Sequence, residues 1–233
     1  MKNILSKLFF GKPEYNTPLS HSAYRNLKNN FKRIWDNEKH NDVGFEKILR
    51  LFLVAVLFIF PGLHVRNYFG NKGLIYRNVA IEFYVLLKTL LPVFFLVTGL
   101  YKYHVVVFIS CYLMSETIVY VASLIFVSDM FVKPRSYRRN ILMLFFNYLE
   151  ISFNFAVIYA GFNLLNGQNL SGVDYIYFSI VTSSTIGYGD LHPVTHLGKG
   201  IVCVHAIMVL SFVVLFINFF GSKVETLHNE EEN

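Results

Sequence analysis

Four long apolar runs constrain the fold of this chain more than any other feature of its sequence. They are Val79 to Leu100, Val105 to Val127, Asn140 to Leu165 and Leu197 to Gly221. At about 1.5 Å per helical residue, each run is long enough to cross the roughly 30 Å hydrocarbon core of a bilayer. With 54% hydrophobic and only 15% charged residues, the composition departs from that of an ordinary soluble domain. The sequence therefore predicts an all-α integral membrane protein.

A fifth apolar run, Leu51 to Val65, is shorter and contains Pro61 and Gly62. As a helix it would reach about 22 Å, which is less than the roughly 30 Å of the hydrocarbon core. If it crosses, the nine Lys and Arg residues of positions 1–47 lie outside, against the tendency of basic loops to stay in the cytoplasm. If it is re-entrant or interfacial, they stay inside. We favour an internal N-terminus, and the crossing of residues 51–65 stays open.

The basic N-terminal region, residues 1–47, contains one amphipathic pattern. Between Ser20 and Lys39, apolar residues recur at steps of three and four, while basic residues take other positions. The apolar residues are Tyr24, Leu27, Phe31, Ile34 and Trp35. The pattern predicts a helix that either lies flat in the membrane interface, with Trp35 buried there, or packs on a cytoplasmic surface of the protein.

The net charge of +6 comes mostly from Lys and Arg residues between or before the apolar runs. Basic loops in such positions set the orientation of a membrane protein and contact anionic lipids. The two cysteines, Cys111 and Cys203, lie inside apolar runs, so neither a disulfide framework nor a metal site is indicated. We therefore expect membrane lipids as partners, anionic ones at the basic linkers, and no nucleic acid.

Residues 182–190, between the last two apolar runs, read TSSTIGYGD. Glycines on both sides of a tyrosine allow backbone conformations that a Cβ would forbid, so successive carbonyl oxygens can point to one side. Gly-Tyr-Gly-Asp is also a common turn composition. Its position between two membrane segments, after a short apolar helix, favours an ion site instead. Such oxygens, repeated around a symmetry axis, can replace the water around a monovalent cation.

This T-x-x-T-x-G-Y-G-D pattern resembles the selectivity filter of the potassium channel pore family, and residues 174–181, DYIYFSIV, resemble the pore helix of that family. The resemblance implies an all-α membrane fold with a tetrameric potassium-channel-like pore, preceded by upstream transmembrane helices. The implied elements are an outer helix at Asn140 to Leu165, a pore helix at Asp174 to Ser184, a filter at Thr185 to Gly189 and an inner helix at Leu197 to Gly221.

On this basis we divide the chain into consecutive regions. They are a basic N-terminal region with the amphipathic helix (1–47), upstream membrane helices with about three hydrophobic segments (48–128), a basic cytoplasmic linker (129–139), the ion-conducting pore module (140–221) and a short acidic tail (222–233). In the family the filter lies toward the outer side, which places the linker and the C-terminus in the cytoplasm. The basic residues of the linker agree with that orientation.

The resemblance also implies which residues hold the ion and which support the filter. The ion-binding residues would be Thr185, Ile186, Gly187, Tyr188 and Gly189, with K+ bound at the carbonyl oxygens of Thr185, Ile186, Gly187 and Tyr188 and at the Thr185 hydroxyl. Gly189 would permit the turn out of the filter. The supporting residues would be Thr182, Tyr177 and Asp190.

The inner helix departs from the family pattern at Val209, where many members have a glycine that permits a bend. Valine is stiff at χ1, so we do not expect a hinge there. Opening would then use the lower end of the helix or the filter itself. The cavity and gate positions implied by the helical register are Leu210, Val213, Ile217 and Phe220.

Three charged residues, Lys88, Glu116 and Glu150, lie about halfway along their apolar runs and therefore near the bilayer midplane. Isolated charges there are costly, so we expect Lys88 to pair with one glutamate while the other is protonated. A voltage sensor needs several positive residues at three-residue spacing in one helix. The run Val79 to Leu100 contains Lys88 alone and Val105 to Val127 contains none, so no voltage sensor is recognisable.

These features predict a potassium-selective channel of the prokaryotic type, which conducts K+ passively as a homotetramer without a cofactor and without classical voltage gating. The alternatives are a weakly selective cation channel, a non-conducting modulatory subunit, and a membrane-embedded enzyme that uses His64, Glu116, Glu150 or His205. No H-E-x-x-H spacing joins those side chains, so we do not expect an enzyme. We expect the protein in a bacterial inner membrane, with its C-terminus in the cytoplasm.

Overall fold

The structure, a computed structural model, describes residues 22–38, 42–130 and 137–231, and the side chains of Met130, Tyr137 and residues 218–231 fall outside that description. This part of the chain forms α-helices joined by short turns, and no strand occurs among these residues. The helices are α1 Ala23–Trp35, α2 Gly44–Val56, α3 Pro61–Gly70, α4 Leu74–Val97, α5 His104–Phe126, α6 Tyr137–Gly161, α7 Gly172–Ser183 and α8 His196–Glu231.

Four of these helices are long and apolar enough to cross a membrane. The qualifying segments are α4, α5, Arg138–Gly161 of α6 and His196–Ile217 of α8. They overlap the four long apolar runs of the sequence, so the predicted all-α membrane fold is confirmed. The fifth run contributes to α2 and α3, which are bent by 70° at the break between them.

Helix α8 is longer than the apolar run that predicted it. The run ends at Gly221, whereas the helix continues without interruption to Glu231. The sequence analysis assigned the residues after Gly221 to a short acidic tail. They extend an existing helix instead, because lysine, glutamate and leucine are good helix formers and a formed helix propagates more easily than a new one begins.

The described residues divide into two compact units. The first unit comprises residues 22–85 and 122–130, and the second comprises residues 86–121 and 137–231. Helices α4 and α5 therefore contribute to both units. The boundary does not coincide with the regions proposed from the sequence, which stay predictions.

Helix α1 of the first unit has the amphipathic character that the sequence predicts. Its apolar residues Leu27 and Ile34 are buried. Tyr24 forms a hydrogen bond with His64 of α3, which holds α1 beside that helix. Trp35 is 61% exposed. The sequence predicted that this helix lies either in the membrane interface or on a surface of the protein. In the structure Leu27 and Ile34 pack on protein, whereas the Trp35 side chain is not covered by protein.

A buried arginine joins α2 to the end of α5 in the first unit. Both Asp129 carboxylate oxygens accept hydrogen bonds from Arg50 Nη2, at 2.7 and 2.8 Å. Arg50 Nη1 donates to Asp42, just before α2, at 3.2 Å. Arg50 and Asp42 are both buried. A buried guanidinium with two carboxylate partners fixes the position of α2, because separating them would leave charges without compensation.

In the second unit the upstream helices pack closely on the helices that follow them. A Cβ at Gly172, the first residue of α7, would collide with the carbonyl oxygen of Leu96 in α4. The hydroxyl of Thr89 in α4 donates to the carbonyl oxygen of Phe146 in α6 at 3.2 Å. Helix α4 therefore contacts both α6 and the start of α7.

The three intramembrane charges come together in the same unit. Lys88 Nζ lies 3.2 Å from Glu116 Oε2 and 3.8 Å from Glu150 Oε1. It also donates to Thr117 Oγ1 at 2.7 Å, and Asn154 Nδ2 donates to Glu150 Oε1 at 2.9 Å. All three charged side chains are buried. One lysine, two glutamates and their polar neighbours thus join α4, α5 and α6.

We predict that Lys88→Met lowers the free energy of unfolding by about 3–5 kcal/mol, because the buried glutamates lose their cationic partner. The measurement is thermal or denaturant unfolding of the purified protein in detergent micelles. Leu87→Met is the matched control, since Leu87 is the neighbouring residue and is exposed. Equal stability of the two variants would show that Lys88 does not hold these helices together.

Candidate functional site

The site begins at α7, which is a short helix with a well-defined start. Asp174 Oδ2 accepts hydrogen bonds from the backbone N–H of Ser171 at 2.7 Å and from its hydroxyl at 2.8 Å. These bonds hold the pKa of the Asp174 carboxyl below its usual value, with the backbone bond as the larger cause. A carboxylate in the first turn also favours the positive end of the helix dipole. Capping of this kind fixes where α7 begins, and the helix ends at Ser183.

The loop after α7 alternates between left-handed and ordinary backbone conformations. Thr185, Gly187 and Gly189 have φ values of 59°, 60° and 82°, whereas Ile186 and Tyr188 between them have negative φ. Glycine takes positive φ readily. For a β-branched residue such as Thr185 it is a genuine outlier, of a kind that costs of order 1–3 kcal/mol and clusters at functional sites.

Hydrogen bonds of the loop amides fix the direction of the loop carbonyls. The N–H groups of Ile186 and Gly187 donate to the carbonyl oxygen of Val181 in α7, at 3.1 and 3.4 Å. The described residues contain no cis peptide bond, and in a trans peptide the N–H and C=O point in opposite directions. The carbonyl oxygens of Thr185 and Ile186 belong to these two peptide units. Both therefore point away from α7, to the same side.

The C-terminal end of the loop is held by a hydrogen-bonded pair. Tyr177 of α7 donates its hydroxyl proton to Asp190 Oδ2 at 2.8 Å. This bond holds the pKa of Asp190 below its usual value and raises the pKa of Tyr177. The Tyr177 and Tyr188 rings lie parallel, with 6.5 Å between their centroids. The structure thus brings together Tyr177 and Asp190, whose supporting role stays a prediction.

The side chain of Asn166, which the sequence analysis did not single out, forms two further hydrogen bonds at this end of the loop. Its side-chain N–H donates to the carbonyl oxygen of Asp190 at 3.0 Å, and its side-chain oxygen accepts from the backbone N–H of His192 at 2.6 Å. The backbones of Leu165 and Pro193 form an isolated antiparallel bridge beside it. No sequence pattern marks Asn166, because it lies in an irregular link and its partners are 24 and 26 residues away.

At the C-terminal end of α7, three helices meet around Ser183. The Ser183 hydroxyl donates to the carbonyl oxygen of Ser179 at 2.7 Å and lies 2.8 Å from the Ser152 hydroxyl of α6. It also lies 2.9 Å from Nε2 of His205 in α8. Nδ1 of His205 lies 3.2 Å from the Tyr159 hydroxyl. This network joins α6, α7 and α8 two residues before Thr185.

One assignment of protons satisfies the contacts of Ser183, His205 and Tyr159. In it the Ser183 proton goes to Ser179, the Ser183 oxygen accepts from Nε2–H of His205, and Nδ1 accepts from the Tyr159 hydroxyl. The His205 ring is fully buried and stacks on Phe155, with 4.1 Å between the ring centroids. His205 is thus a packed, hydrogen-bonded residue of α8. It is far in sequence from the enzyme candidates His64 and Glu116.

Thr182 and the inner-helix positions occupy different surroundings. The Thr182 carbonyl oxygen accepts from the N–H of Thr185 at 3.1 Å, which continues the helical turn into the loop. Leu210, Val213 and Ile217 are exposed on α8 in the single chain. Val209, Phe212 and Leu215 of the same helix are buried, so the two sets lie on different faces. The side chain of Phe220 lies outside the described residues.

We predict that His205→Phe lowers the free energy of unfolding by about 1–3 kcal/mol, because the ring still packs but the Tyr159 hydroxyl loses its acceptor. Urea-induced unfolding in micelles measures the change. His205→Gln is the control, since its amide nitrogen can replace Nε2 as donor to Ser183 and should recover part of the loss. Unchanged stability of the phenylalanine variant would remove the network as a stabilising element.

Comparison with known proteins gives a family for the segment that holds this site. A family model described as an ion channel matches residues 143–226, which contain most of α6, all of α7, the loop and most of α8. The two pore potassium channel a of rice, Oryza sativa subsp. japonica, is 32% identical over 91 residues, which are 39% of this chain and 26% of that protein.

Two further relatives match shorter stretches. The potassium channel K1 of Plasmodium berghei is 41% identical over 60 residues, 26% of this chain and 3% of that protein. The potassium channel subfamily U member 1 of Macaca fascicularis is 33% identical over 67 residues, 29% of this chain and 6% of that protein. No solved structure matches the chain.

The chain therefore spans about a quarter or less of the length of these curated relatives. The matched family and the relatives are ion channels and not enzymes, which confirms that prediction from the sequence. The family match and the filter motif fall on the same helices. Residues 143–226 of this chain are similar to the ion channel family, and the relatives that match parts of the chain are named as potassium channels.

Proposed function

We propose that four copies of this chain form a potassium-selective channel, in which residues 185–189 of each copy line a common axis. The observation that carries the proposal is the orientation of the loop peptides, with amides toward α7 and carbonyl oxygens away from it. The ion channel family supports conduction, and the names of the relatives support K+ as the ion.

In this proposal the K+ ligands are the carbonyl oxygens of Thr185, Ile186, Gly187 and Tyr188, together with the Thr185 hydroxyl. Neutral oxygens suit rapid conduction, because several weak sites in a row let one ion displace the next. A fixed carboxylate would hold the ion more firmly. The potassium ions are cargo, and the proposal includes no organic cofactor.

Two features of the single chain support a homotetramer. Ile186 and Tyr188 are 56% and 69% exposed, so the two large side chains of the loop are not covered by their own chain. Leu210, Val213 and Ile217 form an exposed apolar face on α8. Four such faces around an axis would line a cavity below the filter, with Phe220 predicted at its lower end.

The orientation and gating are parts of the same proposal. The filter would face outward, with the linker at residues 129–139 and the C-terminus in the cytoplasm, as the positive-inside rule favours. α5 contains no Lys or Arg and α4 contains only Arg77 and Lys88, which is too few for a standard voltage sensor. Lipids, anionic ones at the basic linker, would surround the protein. A bacterial inner membrane stays a prediction.

The proposal is tested by recording currents from the purified full chain in planar bilayers with opposed K+ and Na+ gradients. We expect a reversal potential near that of K+. A reversal potential that ignores the K+ gradient would indicate a weakly selective cation channel. Absence of current, combined with altered currents when the chain is added to another channel, would indicate a modulatory subunit.

We predict that Gly187→Ala abolishes K+ current or K+ selectivity, because alanine disfavours the φ of +60° found there by about 1–2 kcal/mol per chain. Nothing lies within 4 Å of a Cβ at this position, so the variant tests conformation and not space in the chain. Gly200→Ala is the matched control, with equal room but no positive φ, and should conduct normally. Normal selective current through Gly187→Ala would contradict the assignment of the filter.

We predict that Tyr177→Phe makes the K+ current decay faster, because Asp190 loses the hydroxyl that holds the outer end of the loop. Without that bond the pKa of Asp190 should rise toward its usual value. The measurement is the decay of K+ current during long recordings. Tyr175→Phe is the control, since Tyr175 donates to Asn163 and not to the loop. Equal decay in wild type and Tyr177→Phe would exclude this supporting role.

A further inference from the structure

Helices α2 and α3 raise a question that the pore module does not answer. Together they are long and apolar enough for one membrane span, but the chain bends by 70° at the break between Ile59 and Pro61. Such a pair is either a broken span or a segment that enters and leaves on one side. The answer decides on which side of the membrane α1 lies.

The start of α4 shows on which side of the membrane α3 ends. Only residues 71–73 separate α3 from α4, and they form a tight turn in which the N–H of Lys72 donates to Phe69 O and that of Gly73 donates to Gly70 O. Helix α3 therefore ends at the same side of the membrane on which α4 begins.

The buried Arg50 shows on which side of the membrane α2 begins. Arg50 of α2 binds both carboxylate oxygens of Asp129, which follows the end of α5 by three residues. α4 and α5 are consecutive spans joined by residues 98–103. The start of α4 and the end of α5 must then lie on one side. Arg50 and the end of α3 are thus on that same side, whatever the orientation of the filter.

The lengths of the two legs set their depth. From Arg50 to Ile59 and from Pro61 to Gly70 the chain has the same length of helix, about 14 Å at about 1.5 Å per residue step. Legs bent by 70° return to their starting depth when each is tilted by about 35° from the membrane plane. The tip at Phe60 would then lie about 8 Å deep, within the roughly 5–10 Å reached by interfacial helices and far short of the roughly 30 Å core.

The exposed side chains of α2 and of the short helical turn Leu57–Ile59 that follows it fit such a location. Phe45, Ile48, Phe52 and Ile59 recur at steps of three, four and seven, and all are exposed by more than half. Arg50, Leu53 and Val54 face the protein and are buried. An apolar stripe beside an anchored polar face is the arrangement by which an interfacial helix buries one side in lipid.

We propose that α2 and α3 do not cross the membrane but form a shallow re-entrant segment, with the lipid leaflet at the ends of α4 and α5 as the occupant of the Phe45–Ile48–Phe52–Ile59 stripe. The described chain then has four spans, and α1 lies on the side of the membrane where α4 begins and α5 ends. This inference does not depend on ion conduction.

The side of α1 is tested with single cysteines in the full chain after Cys111→Ser and Cys203→Ser. A membrane-impermeant maleimide is applied to intact cells and again after permeabilisation. We expect Asn29→Cys in α1 and Asn71→Cys after α3 to react under the same condition, and Tyr103→Cys between α4 and α5 to react under the other. Joint reactivity of Asn29→Cys and Tyr103→Cys would mean that the pair crosses, and would overturn the proposal.

The depth is tested by fluorescence quenching, because Trp35 is the single tryptophan of the chain. Phe52→Trp in a Trp35→Phe background is reconstituted in phosphatidylcholine vesicles with bromine either near the headgroup or near the end of the acyl chain. We expect stronger quenching by the shallow bromine. Leu87→Trp, exposed halfway along α4, is the matched deep control and should show the reverse order. Quenching of Phe52→Trp in the same order as Leu87→Trp would overturn the shallow placement, and so would absence of quenching by either bromine.

Discussion

The function proposed for this chain depends on where the amide groups of one short loop are bound. Two N–H groups after α7 donate to the Val181 carbonyl oxygen, and the rigid trans peptide then turns the carbonyls of Thr185 and Ile186 to the opposite side. Thr185 and Gly187 have positive φ, whereas Ile186 between them does not, and this alternation of backbone conformations shapes the loop. Oxygens arranged in this way can substitute for water around a cation only while the loop keeps its shape.

Most of the surrounding structure can be understood as support for that loop. Asn166 and Tyr177 bind Asp190 at one end, and Ser183 gathers hydrogen bonds from α6 and α8 at the other. Helix α8 runs unbroken from His196 to Glu231. The hydrogen bond between His205 and Ser183 is a direct contact between α8 and α7, the helix that precedes the loop.

Two buried basic residues join helices in the part of the chain that precedes α7. Lys88 joins three helices in the second unit, and Arg50 joins α2 to the end of α5 in the first. Buried ion pairs add little net stability compared with apolar packing, but breaking one is costly, so they specify which helices pair. In a membrane, where every apolar face has lipid as an alternative partner, that specificity is worth more than additional apolar contact.

The sequence by itself determined the four spans, because each apolar run must cover the hydrocarbon core, and it located the filter motif, because two glycines flank a tyrosine within nine residues. It also placed Lys88, Glu116 and Glu150 at one depth, since depth follows from position along a helix. Only the tertiary structure decided that these three charges meet and that Arg50 binds Asp129. It also decided that Asn166 binds Asp190 and that His205 binds Ser183, at the two ends of the loop. Those contacts join residues 22 to 79 positions apart, and spacing along one chain carries no information about which helix faces which.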